Sequence, residues 1–90
     1  MLEKIKLDLR ISHDDMDDDV QDNIDAALAE MVRVGIALPL PEEEDALVVR
    51  AVKTYCRWHY NFEGEGERYR SMFESLTSVM SLHERYQDVH

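Results

Sequence analysis

The feature that most constrains the fold is a stripe of apolar residues at helical spacing that begins inside a run of aspartates. The members of the stripe are Met16, Val20, Ile24, Ala27, Met31 and Val34. At 100° per residue they lie on one side of a helix, and Asp18, Asp22 and Asp25 lie on the opposite side. Gly35 predicts the end of this helix, because glycine readily takes the positive φ found after helix C-termini.

The start of this helix concentrates negative charge. Ser12, followed three residues later by Asp15, resembles a capping box with the shorter acid. Asp14, Asp15, Asp17 and Asp18 lie where the positive end of a helix dipole favours anions. Ordinary helix chemistry explains the position of these acids but leaves their number unexplained.

Segments on both sides also have helical patterns. Leu2, Ile5 and Leu9 recur at helical spacing, and we prefer a helix there although residues 7–11 also alternate as a half-buried strand would. Pro41, followed by four acids at residues 42–45, is typical of a first-turn proline with acids on the helix dipole. These patterns predict a first and a third helix.

The third and fourth helices should each bury one face. On the third, Arg50, Lys53 and Arg57 line the side opposite the apolar stripe, and a flank lies between the two. The predicted buried residues are Leu47, Val48, Ala51, Val52, Tyr55, Trp58, His59 and Phe62, with Val49, Cys56 and Tyr60 on the flank. Residues 64–66 break the pattern. The fourth helix should run from about Glu67, with Tyr69, Met72, Phe73, Leu76, Val79, Met80 and His83 inward.

Together these patterns predict one all-α domain over residues 1–90, with about four helices packed antiparallel. A chain of 90 residues buries only a modest core, so contacts with partners or with further copies would add to its stability. The formal charge of −10 argues against a protein that grips nucleic-acid phosphates. The single cysteine, the lack of a leader pattern and the lack of a long apolar run favour a cytoplasmic protein.

Several phrases of the sequence resemble the small head-tail connector (adaptor) proteins of tailed bacteriophages. They are residues 9–15 (Leu-Arg-Ile-Ser-His-Asp-Asp), the helix from Asp19 to Val34 ending at Gly35, residues 51–55 (Ala-Val-Lys-Thr-Tyr) and residues 58–60 (Trp-His-Tyr). In that family a leucine-arginine-isoleucine-aspartate element precedes an acidic helical body. The resemblance covers nearly the whole chain, which departs from the family in its short inter-helix segment and its long fourth helix.

The resemblance implies a virion structural protein without catalysis or cofactors. It would form a ring of a dozen or so subunits below the portal protein at the head-tail junction, after assembly in the host cytoplasm, and would meet the next connector or stopper protein on the tail side. Genomic DNA would pass through the ring during packaging without being bound specifically. No membrane would be a partner of the protein. The stretch from His83 to His90, with Arg85 and Tyr86 as peripheral residues, would contact the portal.

Electrostatics makes this implication coherent. Acidic side chains that face the lumen of a ring repel DNA phosphates and keep the passage smooth. The residues expected to line the lumen are Asp14, Asp15, Asp17, Asp18, Asp19 and Asp22. The alternative is that these aspartates only cap and solvate a helix.

A ring also needs a heterologous interface, in which one patch fits a different patch on the neighbouring subunit. The opposite charges of two helix faces motivate such an interface. The acidic patch is Asp18, Asp22 and Asp25, and the basic patch is Arg50, Lys53 and Arg57, flanked by Val49 and Tyr60. The alternative is that both faces are solvated or pair within one subunit, since exposed ion pairs are usually weak.

The sequence offers little for metal or covalent chemistry. The run Asp15, Asp17, Asp19 resembles the start of a calcium loop, but Val20 and Ala26 occupy the positions that need glycine and glutamate. Cys56, His59 and His83 offer soft ligands without a closely spaced second pair, and no third group orients His59 toward Cys56. We therefore expect no metal site and no nucleophile.

Two other classes of protein fit parts of the pattern. An all-helical enzyme resembling the chorismate mutases would need several cations converging inside a bundle, whereas Arg50, Lys53 and Arg57 are expected to point outward. An acidic regulator that mimics DNA could use aspartates spaced along a helix. An activity assay would identify the enzyme, and a discrete dimer that binds a basic protein would identify the mimic.

Overall fold

The computed structural model describes residues 1–38 and 45–87, and within them the chain is all-α, as the periodicity predicts. The four α-helices are α1 (Leu2–Asp8), α2 (Asp17–Arg33), α3 (Ala46–His59) and α4 (Gly66–Leu82). Short 3-10 turns follow at Phe62–Gly64 and Glu84–Tyr86. The preference for a helix over a strand near the N-terminus is confirmed by α1. No helix among these residues is long and apolar enough to span a bilayer.

The hydrophobic core centres on α3, which packs against both α2 and α4. From α2 it receives Val20, Ile24, Ala27 and Met31, which are four members of the predicted stripe and are at most 1% exposed. From α3 and α4 it receives Val48, Ala51, Val52, Cys56, Phe73 and Met80. Ile5 of α1 and Leu9, the residue that follows α1, belong to the same core.

Several predicted core positions are wrong, because the predicted apolar faces are wider than the surfaces that cover them. On α4, Met72 is 40% exposed and Val79 is 66% exposed. That helix packs mainly on α3, which covers one row of side chains and leaves the next row in solvent. Leu47, His59, His83 and Val34 are exposed as well, and Cys56, placed on a flank, is completely buried.

The predicted capping box at the start of α2 is also wrong. The helix begins at Asp17 without a side-chain cap, and Ser12 and Asp15 are exposed. The nearby acids instead meet Lys6 of α1, whose Nζ lies 2.8 Å from Asp14 Oδ1 and 2.7 Å from Asp17 Oδ1. The hydrogen bonds that Lys6 donates to these carboxylates raise the pKa of Lys6, and Lys6 lowers the pKa of Asp14. Part of the acidic run therefore fixes α1 against α2.

The start of α3 depends on Asp45. The predicted first-turn proline and residues 42–44 lie outside the described residues, but Asp45 caps the helix by accepting hydrogen bonds from the backbone N–H groups of Leu47 and Val48 at 2.9 and 3.2 Å. It also accepts hydrogen bonds from Tyr86 Oη and Arg85 Nε, each at 2.7 Å. Burial acts to raise the pKa of Asp45, but these hydrogen bonds outweigh it and lower the pKa.

The expectation that Tyr86 is peripheral is wrong. Its side chain is 1% exposed and belongs to the hydrophobic core. Its carbonyl oxygen accepts a hydrogen bond from the backbone N–H of Ala37 at 2.6 Å. The 3-10 turn after α4 therefore holds together the end of the α2 segment and the start of α3, whereas Arg85 keeps a half-exposed guanidinium.

We predict that Asp45→Ala lowers the free energy of unfolding by roughly 2 to 3 kcal/mol, because it removes a helix cap and leaves the buried Tyr86 hydroxyl without its acceptor. Tyr86→Phe, which removes the hydroxyl alone, should cost about 1 kcal/mol. Because the folded-state pKa of Asp45 is depressed, its contribution is present above the unfolded-state pKa of about 4 and is lost as the pH falls through the folded-state pKa. Urea titrations at neutral and acidic pH measure both effects. Equal stability of Asp45→Ala and wild type would contradict this assignment.

Candidate functional site

The six aspartates expected to line a lumen divide into two groups. Asp14 and Asp17 are bound to Lys6, and Asp19 accepts a hydrogen bond from the hydroxyl of Tyr60. The remaining three are Asp15, Asp18 and Asp22, and all are exposed. Asp18 and Asp22 have no hydrogen-bond or ion-pair partner within residues 1–38 and 45–87. The carboxylates of Asp18 and Asp22 are therefore available to another molecule, whereas the exposed carboxylates of Asp14 and Asp19 are already paired.

Tyr60 lies apart from the basic residues with which the sequence analysis grouped it. Its hydroxyl donates to the Asp19 carboxylate and accepts from Asn23 Nδ2 at 3.1 Å, so it joins α2 to the residue after α3. Burial, together with the hydrogen bond to Asp19, raises the pKa of Tyr60 to about 12. Tyr60 is therefore an internal contact between helices in this subunit. Asp25, also predicted at the interface, is exposed on α2 and accepts a hydrogen bond from Gln21.

The structure brings the other predicted interface residues together in one cleft of about 560 Å³ between α1, α3 and α4. The residues lining it are Lys4, Asp8, Ala46, Val49, Arg50, Lys53, Thr54, Arg57, Tyr69 and Met72. Four of these side chains are cationic and one is a carboxylate. The chain has a formal charge of −10, but this basic cleft is locally positive and therefore suits an anionic partner.

One of the four cations also has a structural role. Arg57 donates from Nε and Nη2 to the two carboxylate oxygens of Asp8, each at 2.7 Å, and from Nη1 to Tyr69 Oη at 3.2 Å. Its guanidinium also lies over the rings of Phe62 and Tyr69, 5.0 and 5.2 Å from their centroids. The hydrogen bonds that Arg57 donates to Asp8 raise the pKa of Arg57. This bidentate pair clamps α1 to α3, and both of its residues line the basic cleft.

The clamp leaves Arg50 and Lys53 as the cations available to a partner. Neither side chain makes a hydrogen bond or an ion pair in the part of the chain that the structure describes, and Arg50 is exposed. Asp8, the carboxylate among the described residues that line the cleft, is already paired with Arg57. Among the described residues, the α3 wall of the basic cleft therefore carries positive charge that no carboxylate pairs with.

An apolar groove adjoins the basic cleft. It lies between α3 and α4, has a volume of about 470 Å³ and shares Arg50, Thr54 and Met72 with the cleft. Its other lining residues are Leu47, Ser71, Ser75, Leu76 and Val79. The positions on α4 that were wrongly predicted to be buried thus form an exposed apolar surface beside the cations.

The cysteine and histidines considered as ligands are dispersed. Cys56 is completely buried, whereas His59 and His83 are exposed. Among the residues that the structure describes, no group of three or more His, Cys, Asp or Glu side chains is arranged to hold a metal ion. Burial raises the pKa of the Cys56 thiol to about 12, which disfavours the reactive thiolate at neutral pH.

Sequence reasoning missed the contribution of α1 to this site. Lys4 and Asp8 were not selected, although their spacing of four residues places them on the same face of a helix. The partners of Asp8 and Lys6 are set by the packing of α1 on the other helices. A helical pattern alone indicates which residues share a face and does not indicate which helix that face meets.

We predict that Arg57→Lys destabilises the fold by roughly 1 to 2 kcal/mol, because an ammonium cannot reproduce the bidentate contact with Asp8 or the contact with Tyr69. Arg50→Lys is the matched control on the same helix and should leave the free energy of unfolding within about 0.5 kcal/mol of wild type. Urea denaturation of both variants provides the measurement. Similar small effects for both substitutions would show that the clamp has no structural role.

A second prediction concerns Cys56. In the native protein its reaction with a thiol-specific reagent such as Ellman's reagent should be at least about 100-fold slower than in denaturant, because the thiol is exposed only on unfolding. Substitutions that lower the stability, such as Tyr86→Phe, should accelerate the reaction. Rapid labelling of the native wild-type protein would contradict the burial of Cys56.

Comparisons with protein-family models, with curated proteins and with solved structures gave no match. The functional interpretation therefore depends on the geometry of the molecule and on the resemblance described above.

Proposed function

We propose that this protein is a structural, non-enzymatic head-tail connector of a tailed bacteriophage. In this role it forms an oligomeric ring below the portal, and DNA passes through an acidic lumen. The observation that carries the proposal is the separation of charge within one small domain. The basic cleft lies between α1, α3 and α4, and the exposed carboxylates Asp18, Asp22 and Asp25 lie on α2.

A ring requires that each chain carry two different surfaces that are complementary to each other. A twofold dimer pairs a surface with itself, whereas a ring joins one surface to a different surface of the next subunit. The basic cleft cannot pair favourably with another basic cleft, and the acidic face of α2 cannot pair favourably with itself. Like-charge repulsion therefore disfavours a twofold joint centred on either face, whereas a head-to-tail joint brings unlike charges together.

The lumen is assigned to the turn before α2 and to its first residues. Asp15 is exposed there, and Asp14 keeps an exposed carboxylate although it contacts Lys6. A ring would repeat this group of charges once per subunit. Because phosphate groups are repelled by such a lining, the ring would guide DNA without holding it.

Arg85 remains a proposed contact with the portal. Its guanidinium is exposed beside the buried Tyr86, and its pairing with Asp45 fixes its position. Tyr86 would support this surface from within the fold and would not touch the portal. The tail-side partner in this proposal is the next connector or stopper protein.

The basic cleft also favours a second candidate function, the binding of a small dicarboxylate by an enzyme resembling the chorismate mutases. Arg50, Lys53 and Arg57 were expected to point outward, and Arg50 is exposed, but the three line one cleft together with Lys4. A chorismate mutase assay tests this candidate. The connector proposal expects no turnover above the uncatalysed rate.

We predict that the wild-type protein assembles into species larger than a dimer in a concentration-dependent manner at low ionic strength. The assemblies should dissociate at about 1 M NaCl, where the Debye length falls to about 3 Å and exposed charges are screened. Sedimentation velocity over a series of concentrations and salt levels provides the measurement. A monomer, or a discrete dimer, under all of these conditions would contradict the ring, and a dimer that binds a basic protein would favour the DNA mimic.

A further inference from the structure

The outer face of α2 has two chemically different halves. Asp18, Asp22 and Asp25 lie at helical spacing in its first half, and Ala29 and Val32 continue the same row in its second half. All five are exposed, and Val32 is 57% exposed. The row from Asp18 to Val32 extends about 21 Å at 1.5 Å per residue. We call this row the outer face of α2.

The surface formed by α3 and α4 has two halves of the same kinds. The basic cleft presents Arg50 and Lys53, and the apolar groove presents Leu47, Met72 and Val79, which are 42%, 40% and 66% exposed. The cleft and the groove are continuous because they share lining residues on both helices. A ligand that carries acids at one end and apolar side chains at the other therefore matches this surface along its length.

We infer that the outer face of α2 in one copy docks across the α3–α4 surface of the next copy. The acidic half lies on the basic cleft, and the apolar half lies in the groove. This inference rests on the proposed function and deepens it, because it names both sides of the joint between subunits and gives the joint a direction.

A second copy is the occupant that charge complementarity favours. Within the described parts of each subunit, the carboxylates of Asp18 and Asp22 have no partner. The cationic side chains of Arg50 and Lys53 have none either. The exposed apolar side chains of Val32 and Val79 would leave water in the same contact. Each subunit has one outer face of α2 and one α3–α4 surface, so the contact repeats from copy to copy.

The most direct test uses two charge-reversed variants and their mixture. The first variant, R50E/K53E, places acidic residues in the cleft and retains the acidic α2. The second, D22K/D25K, places basic residues on α2 and retains the basic cleft. Arg57 is left unchanged in both because it clamps Asp8. Each variant alone has like charges on its two docking faces and should remain monomeric in sedimentation velocity.

The equimolar mixture should assemble, because every joint between the two variants brings an acidic face against a basic one. Restored assembly also shows that both variants are folded. The control variant R68E/R70E reverses two exposed cations of α4 that lie outside the cleft and the groove, and it should assemble as wild type does.

A separate pair of substitutions tests the apolar half. Val79→Ser should weaken the association at least tenfold. Leu7→Ser should leave it unchanged, because Leu7 is 79% exposed on α1 and lies outside both surfaces. These substitutions remove exposed methyl groups and leave the charge of the protein unaltered.

The outcomes separate this inference from the proposed function. If wild type assembles and each charge-reversed variant also assembles alone, or if the mixture of the two stays monomeric, the inferred joint is wrong although a ring remains possible. If the charge reversal acts as expected but the assemblies are open filaments, the joint is supported and the ring is wrong. A wild-type protein that stays monomeric at every concentration overturns both.

Discussion

The structure depends on the burial of α3 by two neighbours that lie on different sides of it. In a chain of 90 residues this arrangement creates a core with one central helix, so that Ala51, Val52 and Cys56 lose all contact with water. The outer helices then bury one row each and expose the rest. The exposed row of α2 forms one side of the inferred joint, and the exposed row of α4 contributes to the other side. Both rows are therefore a direct consequence of how the core is built.

Three ion-pair clusters decide which charges remain at the surface. Lys6 engages two aspartates at the start of α2, Arg57 engages Asp8, and Asp45 engages the 3-10 turn after α4. Each cluster joins segments that are distant in sequence or separated by a turn. The charges outside these clusters include Arg50 and Lys53 on one side of the subunit and the outer aspartates of α2. This partition gives the docking proposal its specificity, because the residues that maintain the fold differ from those available to a partner.

Much of the fold follows from the spacing of apolar residues. The stripe from Val20 to Met31 is buried as predicted. Gly35 has a φ of +96° and follows the end of α2, as the sequence predicts. The contacts between helices do not follow from spacing. The burial of Lys6, with 6% of its side chain exposed, and the internal role of Tyr86 arise from partners 8 to 41 residues away. For the same reason the sequence predicted the α3 residues of the cleft as a patch but did not predict the residues that α1 and α4 contribute to it.

The central claim is that copies of this protein join head to tail so that the acidic start of α2 lines a central opening. Cryo-electron microscopy of the assembled protein, at a resolution that traces side chains, tests this claim most directly. The account predicts a closed ring in which α2 of each subunit crosses α3 and α4 of the next, with Asp14 and Asp15 facing the opening. A ring that carries these aspartates on its outer rim, or a joint formed by other surfaces, would contradict it.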